Sequence, residues 1–262
     1  MKTGTVTVLG SGTSMGVPTI GCECEVCQST DPHDRRTRPS VMIEWDDRRI
    51  MIDSGPDFRE QAIREKINHL DAVIYTHGHA DHILGLDDLR PLTYPRVTGG
   101  KRIPLYAQPE TARIIRSVFK YVFDDDYKYG GIAKVQLHEI HGPFEVHGLA
   151  VTPIPVMHGD AEIIGYRVGS FAYLTDFSEI PESSMAMLKG VEVVFLDALR
   201  HTPHPTHSTV ANSLRLAGII GAEQTYFTHI CHDLGHAATN RLLPPGVQLA
   251  HDGLRITFNL ES

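Results

Sequence analysis

Along the chain, short apolar runs alternate with polar segments rich in glycine, proline and aspartate, as buried strands divided by turns and helices do. Thr5–Leu9, Val41–Trp45, Ile50–Asp53 and Ala72–Thr76 predict early strands, and Asp46-Asp47 supplies the turn between the second and third. Phe58, Ala62, Ile63 and Ile67 fall near helical spacing and predict a helix over Asp57–Ile67. Ile103–Ala107 reads as a strand leading into a helix over Pro109–Lys120, with proline at its start. The second half predicts strands near 133–139, 144–154, 163–168, 171–175 and 191–196, then a helix over 208–219 capped by Ser208. A strand at 224–228, a helix near 233–243 and a strand around 254–258 complete the pattern. Alternation of this kind gives a mixed α/β class and no more. No linker or low-complexity tract divides the 262 residues, so a single domain over 1–262 is expected.

Composition narrows the partners. A formal net charge of −8 argues against a large nucleic-acid footprint, and the 41% hydrophobic content supports a proper core. There is no transmembrane run, and no apolar leader of adequate length follows Lys2. A cytoplasmic protein without a membrane partner is the expectation, with a homodimer left open.

Candidate chemistry concentrates in Thr76-His77-Gly78-His79-Ala80-Asp81-His82, on the loop leaving the fourth strand. Neutral imidazole is the commonest protein metal ligand, and carboxylate adds the charge that a divalent ion needs. His77 and His79 can aim at one ion, while Asp81 and His82 suit a second. Two ions need more ligands than one loop holds. His158, Asp176 and His229 each stand at the exit of a predicted strand, where separate strands can converge.

These residues resemble the pattern of the metallo-β-lactamase-fold hydrolases, whose His-x-His-x-Asp-His is met by His77, His79, Asp81 and His82. The later ligands fall in order at His158, Asp176 and His229, and the likeness runs from Leu9 to roughly Phe258. The resemblance implies an α/β fold of the αββα four-layer sandwich type. It also implies a hydrolase with two divalent ions, zinc or manganese. One ion would be held by His77, His79 and His158, the other by Asp81, His82 and His229, with Asp176 bridging. Asp53 would fix the tautomer of a ligand histidine; on sequence alone it is equally a turn residue before Gly55.

Cys22, Cys24 and Cys27 make a C-x-C-x2-C group, three of only four cysteines in the chain. In a reducing compartment such clustering favours metal over disulfide, and a structural zinc wants a fourth ligand. His232 is the candidate and Cys231 its competitor. This set resembles the branch of the superfamily typified by the phosphodiesterase of the phosphonate-degradation (carbon–phosphorus lyase) pathway, with Cys22, Cys24, Cys27 and His232 matching its structural zinc site.

In Arg200-His-Thr-Pro-His-Pro-Thr-His207, the same branch implies that His207 reaches the site without ligating metal. It would protonate the leaving oxygen or stabilise charge on the phosphoryl oxygens. His201 and His204 are left undecided. The implied reaction is hydrolysis of a small cyclic or linear phosphodiester, of cyclic ribose phosphate or nucleotide type, by a metal-bridging hydroxide. Asp81 would act beside His207 by keeping the site charge moderate. The alternatives are a tRNA 3′-end endoribonuclease, for which no inserted basic arm is found, and a non-catalytic metal-binding regulator. Gly10–Gly16 reads as a turn beside the metals whose Ser11, Thr13 or Ser14 could touch substrate. Tyr94, Arg96, Tyr127 and Tyr129 are candidate rim contacts.

Overall fold

The computed structural model describes residues 2–124, 126–128 and 130–261. Its strands in the first half are β1 (Thr3–Gly10), β2 (Ser40–Trp45), β3 (Arg48–Ile52), β4 (Ala72–Ile74), β5 (Ile103–Ala107) and β6 (Val135–Glu139). The second half adds β7 (Phe144–Val146), β8 (Leu149–His158), β9 (Ala161–Val168), β10 (Phe171–Leu174), β11 (Val193–Asp197), β12 (Gln224–Thr228), β13 (Val247–Leu249) and β14 (Arg255–Asn259). They form two seven-stranded sheets, ordered β14-β1-β2-β3-β4-β5-β6 and β13-β12-β11-β10-β9-β8-β7.

Side-chain alternation assembles four layers from these sheets. On β10, Phe171 and Tyr173 meet Val6, Ile43 and Ile52 of the first sheet, whereas Ala172 and Leu174 point the other way, into a core shared with Val210 and Leu216. On the first sheet, Met42, Met51 and Val73 face outward onto Phe58, Ala112 and Ile115. Strands buried on both faces read as continuous apolar runs, which is why their positions are visible in the sequence. The result is the αββα sandwich. Among the described residues no helix is long and apolar enough to cross a membrane.

Several expected elements are revised. The single strand over 144–154 is a hairpin of β7 and β8, turning through His147 (φ 50°) and Gly148 (φ 79°). Two successive positive φ values are the two-residue turn that suits the right-handed strand twist. The helix expected from 208 spans Val210–Ile220, and Thr209 caps it by accepting from the Asn212 amide. Ser208 instead shares a hydrogen bond with the Ser213 hydroxyl (2.7 Å). The helix near 233–243 shrinks to His236–Asn240, because residues 231–235 are held in irregular backbone. Arg36, fully buried, donates to the carbonyls of Cys231 (2.9 Å) and Leu234 (2.6 Å) and to Asp34 (2.9 Å). That knot pins the segment after β12 against the N-terminal loop.

Candidate metal centre

Strands β3 and β4 run parallel, as do β10, β11 and β12, so their C-terminal ends open toward one edge. Asp53 follows β3, His77 follows β4, Asp176 follows β10, Asp197 ends β11 and His229 follows β12. His158 ends β8. Asp53, Asp176 and His229 adopt left-handed backbone, with φ of 66°, 58° and 57°. That conformation costs an L-residue about 1–2 kcal/mol, so three such residues at strand ends mark positions imposed by the site rather than by local preference.

The motif loop turns directly into one helical turn, Ala80–Ile83, which carries Asp81 and His82. Gly55 makes the close approach to it possible, since a Cβ there would fall 2.0 Å from the Asp81 carbonyl oxygen. The Ser54 amide donates to the His82 carbonyl (2.8 Å), fixing Asp53 beneath the motif.

The structure brings the expected residues together in two groups. Candidate ligand atoms of His77, His79 and His158 lie within 4.8 Å of one another, and so do those of Asp81, His82, Asp176 and His229. Asp176 joins the groups, its Oδ2 being 3.9 Å from His77 Nε2, 3.3 Å from His82 Nε2 and 3.1 Å from His229 Nε2. Asp81 Oδ2 lies 3.2 Å from His82 Nε2 and 3.6 Å from His229 Nε2.

Tautomers follow from the surrounding bonds. Asp53 accepts from the Thr76 amide (2.8 Å), the Thr76 hydroxyl (2.8 Å) and His82 Nδ1 (2.7 Å). With its own hydrogen given to Asp53, the Thr76 hydroxyl can only accept from His77 Nδ1 (3.0 Å). His158 Nδ1 donates to the Thr206 carbonyl (2.8 Å). In its neutral form each of these histidines therefore presents an unprotonated Nε2 to the centre, the state that ligation requires. An Asp53→Asn protein, able to donate where a carboxylate must accept, is expected to bind metal about 10–100-fold more weakly. Titration with a competing chelator would show it, and unchanged affinity would remove Asp53 from this role.

Electrostatics agree with a cation site. Burial works against charge on His82, but Asp176, Asp81 and Asp53 outweigh it and raise its pKa well above the ordinary value. Burial likewise opposes charge on His229, which Asp176 and Asp81 nonetheless lift to about 9. Asp81 Oδ2, His82 Nε2 and both His229 nitrogens are buried without a hydrogen-bond partner. Such orphaned groups are costly unless something positive or polar meets them, and a divalent ion fits this donor set.

His207 stacks on His229 (ring centroids 4.5 Å) and meets His158 edge-on (4.8 Å). Its Nδ1 is 2.7 Å from Asp197 Oδ2, a fully buried carboxylate that the sequence reading did not single out. Asp197 does share the signature of the other site residues, an acidic side chain at a strand end. Burial, with His229 beside it, takes His207 down to about 4, while burial raises Asp197. His204 lies one ring beyond (5.0 Å from His207), and His201 is exposed.

A second cluster stands apart. His232 Nδ1 lies 3.1 Å from Cys22 Sγ and 3.5 Å from both Cys24 Sγ and Cys27 Sγ, a set of three thiols and one imidazole suited to structural zinc. Cys231 is not in this group; its sulfur accepts from the Asp233 amide (3.4 Å). Of the other candidates, Ser11 is fully buried and committed to Asp252 by both amide and hydroxyl (2.9 Å each). Arg96 lies over the Tyr94 ring (5.4 Å), and Tyr127 packs on Tyr121. Tyr129 lies outside the described residues.

Comparison with known proteins accords with this geometry. The chain is 59% identical to a crystal structure described as a new diphosphatase from the PhnP family, with a TM-score of 0.94 and 99% of both chains covered. Zn2+-bound PqqB from Methylobacterium extorquens shares the fold at 23% identity, with a TM-score of 0.70 over 96% of this chain and 99% of that one. Among curated relatives, an octanoyltransferase of Porphyromonas gingivalis is 40% identical over 252 residues, covering 94% of this chain. The chain spans only 50% of that protein's length. The model of the β-lactamase superfamily domain matches residues 48–230. With more than half of its length matched, and with candidate ligand side chains at the expected strand ends, the chain belongs to the β-lactamase superfamily.

Proposed function

We propose that the chain is a dinuclear phosphodiesterase acting on a small anionic substrate, with a separate structural zinc held by Cys22, Cys24, Cys27 and His232. The observation that carries this reading is Asp176, one carboxylate oxygen within 4 Å of imidazoles from both ligand groups. His77, His79 and His158 would hold one ion, Asp81, His82 and His229 the other, and Asp176 both. Zinc and manganese suit this donor set alike. When bound, the pair supplies Lewis acidity toward phosphoryl oxygens and activates water at neutral pH.

The chain's own groups perform the rest. Asp53, Thr76 and the Thr206 carbonyl hold the ligand imidazoles in the required tautomer. Asp197 fixes the ring of His207 through Nδ1 and shares its proton, so that Nε2 can donate to the departing oxygen. A His207→Ala protein is expected to lose about 10²–10⁴-fold in kcat on a diester with a poor leaving group. The loss should be much smaller with p-nitrophenol, which departs without a proton; equal losses on both would leave His207 without a proton-transfer role.

A diphosphate linkage is the second reading, favoured by the 59% identical diphosphatase. Both linkages place the leaving oxygen on a phosphorus already bearing negative charge. The acyl transfer named for the longer Porphyromonas protein stays with that protein, half of which this chain does not match. A net charge of −8 favours small substrates over long nucleic acid, and clustered thiols favour a cytoplasmic setting. Hydrolysis of bis(p-nitrophenyl) phosphate and of a nucleoside diphosphate sugar, each with zinc- or manganese-loaded protein, decides between the two. Turnover of neither at full metal occupancy would sink both.

A further inference from the structure

Three histidines that neither metal cluster uses meet where three distant segments cross. His33 lies in the short helical turn Pro32–Asp34 of the N-terminal loop, His236 opens the helix His236–Asn240, and His251 lies between β13 and β14. Ring centroids are 4.1 Å apart for His33 and His251, 4.6 Å for His33 and His236, and 5.6 Å for His236 and His251. The same N-terminal loop supplies Thr13, Ser14 and Met15 to the cavity of 190 Å³ beside His207, whose other walls include Cys231 and His232. Whatever loosens this junction therefore reaches the edge of the metal centre.

The surrounding bonds decide where protons can go. The Leu249 amide donates to Asn240 Oδ1 (2.8 Å), which orients that carboxamide, so Asn240 Nδ2 donates to His236 Nε2 (3.0 Å). The hydrogen of neutral His236 therefore sits on Nδ1, an atom buried without a partner. With one nitrogen protonated and the other bonded, this ring is not set up as a metal ligand. A second proton must enter at Nε2, where it faces the Asn240 donor and breaks the link from this helix to β13. His251 Nδ1 donates to the Asp252 carbonyl (3.2 Å), so its second proton also enters at Nε2. Charge on these rings finds little to offset it. Asp31 lies 3.5 Å from His33 Nδ1. Asp34 is spent on Arg36 (2.9 Å) and the His236 amide (2.8 Å), and Asp252 on Ser11, Thr37 and Arg64. Burial, then His33, His251 and the buried Arg36, take His236 down to about 4, and burial lowers His251. Both folded values lie below the ordinary histidine value. The junction is therefore intact above about pH 6.5 and loses stability as pH falls toward about 4.

We infer that His33, His236 and His251 form a proton-sensitive latch, which when neutral holds the N-terminal loop on the segments after β12 and β13 and when protonated releases it. Protons are the only co-reactant. One breaks the bond between Asn240 and His236, and further ones set cations side by side at ring separations of 4.1–4.6 Å, next to Arg36. Release leaves both sheets standing, because the pairings of β1 with β2 and of β11 with β12 contain none of the three histidines.

The test is amide hydrogen exchange on metal-loaded protein, read by mass spectrometry, corrected for the intrinsic pH dependence of exchange, with bound zinc measured at each pH. Wild type is expected to lose protection on the order of tenfold in residues 33–37 and 249–252 between about pH 7 and pH 5, while β2 and β11 keep theirs. His236→Gln retains an acceptor for Asn240 and cannot titrate, so its loss should shrink to about threefold or less. His33→Asn combined with His251→Gln, at half-buried positions, is the second variant should the first not fold, and it should flatten the profile too. Protection that does not change with pH in wild type, or an undiminished loss in the folded variants, overturns the latch. So does an equal loss in β2 and β11, which marks global acid unfolding. A loss that tracks zinc release identically in wild type and variants overturns it as well.

Discussion

Replacing Asp176 with asparagine is expected to cut hydrolysis of bis(p-nitrophenyl) phosphate by on the order of 10³-fold and to lower the bound metal per chain. The reasoning starts from charge. Asp176 is buried, and its Oδ2 lies within 4 Å of His77, His82 and His229. Burial alone would raise its pKa, but His229 and His82 reverse that and hold it well below the carboxylate range. The side chain is thus an anion in a place where anions are costly, kept so by what surrounds it. Removing one member of a buried charge set typically costs 3–5 kcal/mol, and about 1.4 kcal/mol corresponds to tenfold in rate or affinity. Asparagine is the better probe than alanine because it tolerates the left-handed backbone at this position (φ 58°), so the loss reports charge rather than strain. An Asp176→Asn protein with wild-type turnover and metal content would remove the bridging role and, with it, the dinuclear reading.

How far this centre could be read without coordinates depends on which kind of interaction places each residue. His77, His79, Asp81 and His82 sit within six positions, so their chemistry is local and legible. His158, Asp176 and His229 are legible because each ends or follows a strand, buried throughout in β10, nearly so in β12 and alternating in β8. Asp197 has the same placement at the end of β11, yet its partner is ten residues away across an irregular loop. Only the parallel pairing of β11 with β12, which sets His207 against His229, gives that aspartate a purpose. The helix near 233–243 was overestimated for a related reason. Leu234 falls in the expected helix, but its carbonyl, like that of Cys231 before it, is spent on Arg36, a contact across almost two hundred residues. The Val146–Leu149 turn carries only half of the strongest two-residue hairpin signal, Gly148 preceded by His147 rather than Asn or Asp, and it interrupts a run that otherwise reads as one strand.

Loss of the cysteine site should be felt in stability more than in chemistry. A Cys24→Ser protein is expected to bind one metal fewer per chain and to melt roughly 10 °C lower. A metal held at about 100–1,000 times its dissociation constant stabilises the fold by about 3–4 kcal/mol. In a chain of this size each kcal/mol moves the midpoint by about 2–4 °C. The site joins Cys22, Cys24 and Cys27 to His232, residues more than two hundred positions apart, and so closes the N-terminal loop onto the segment after β12. Folding should nevertheless survive, because Arg36 ties the same two segments through two hydrogen bonds, to the Cys231 and Leu234 carbonyls, that need no metal. Asp252 adds a further clasp, accepting from Ser11 and from the Thr37 hydroxyl (2.6 Å). Turnover should fall less than in Asp176→Asn, since Cys24 touches no centre ligand, but not remain untouched. His232 and Cys231 wall the cavity beside His207, and a loosened loop would let that wall move. Thermal melting with and without added zinc separates the contributions: wild type should lose its excess stability on chelation, whereas Cys24→Ser should lose only the part supplied by the dinuclear centre. A mutant that melts with wild type and carries the same metal complement would mean that these thiols and His232 hold no structural ion.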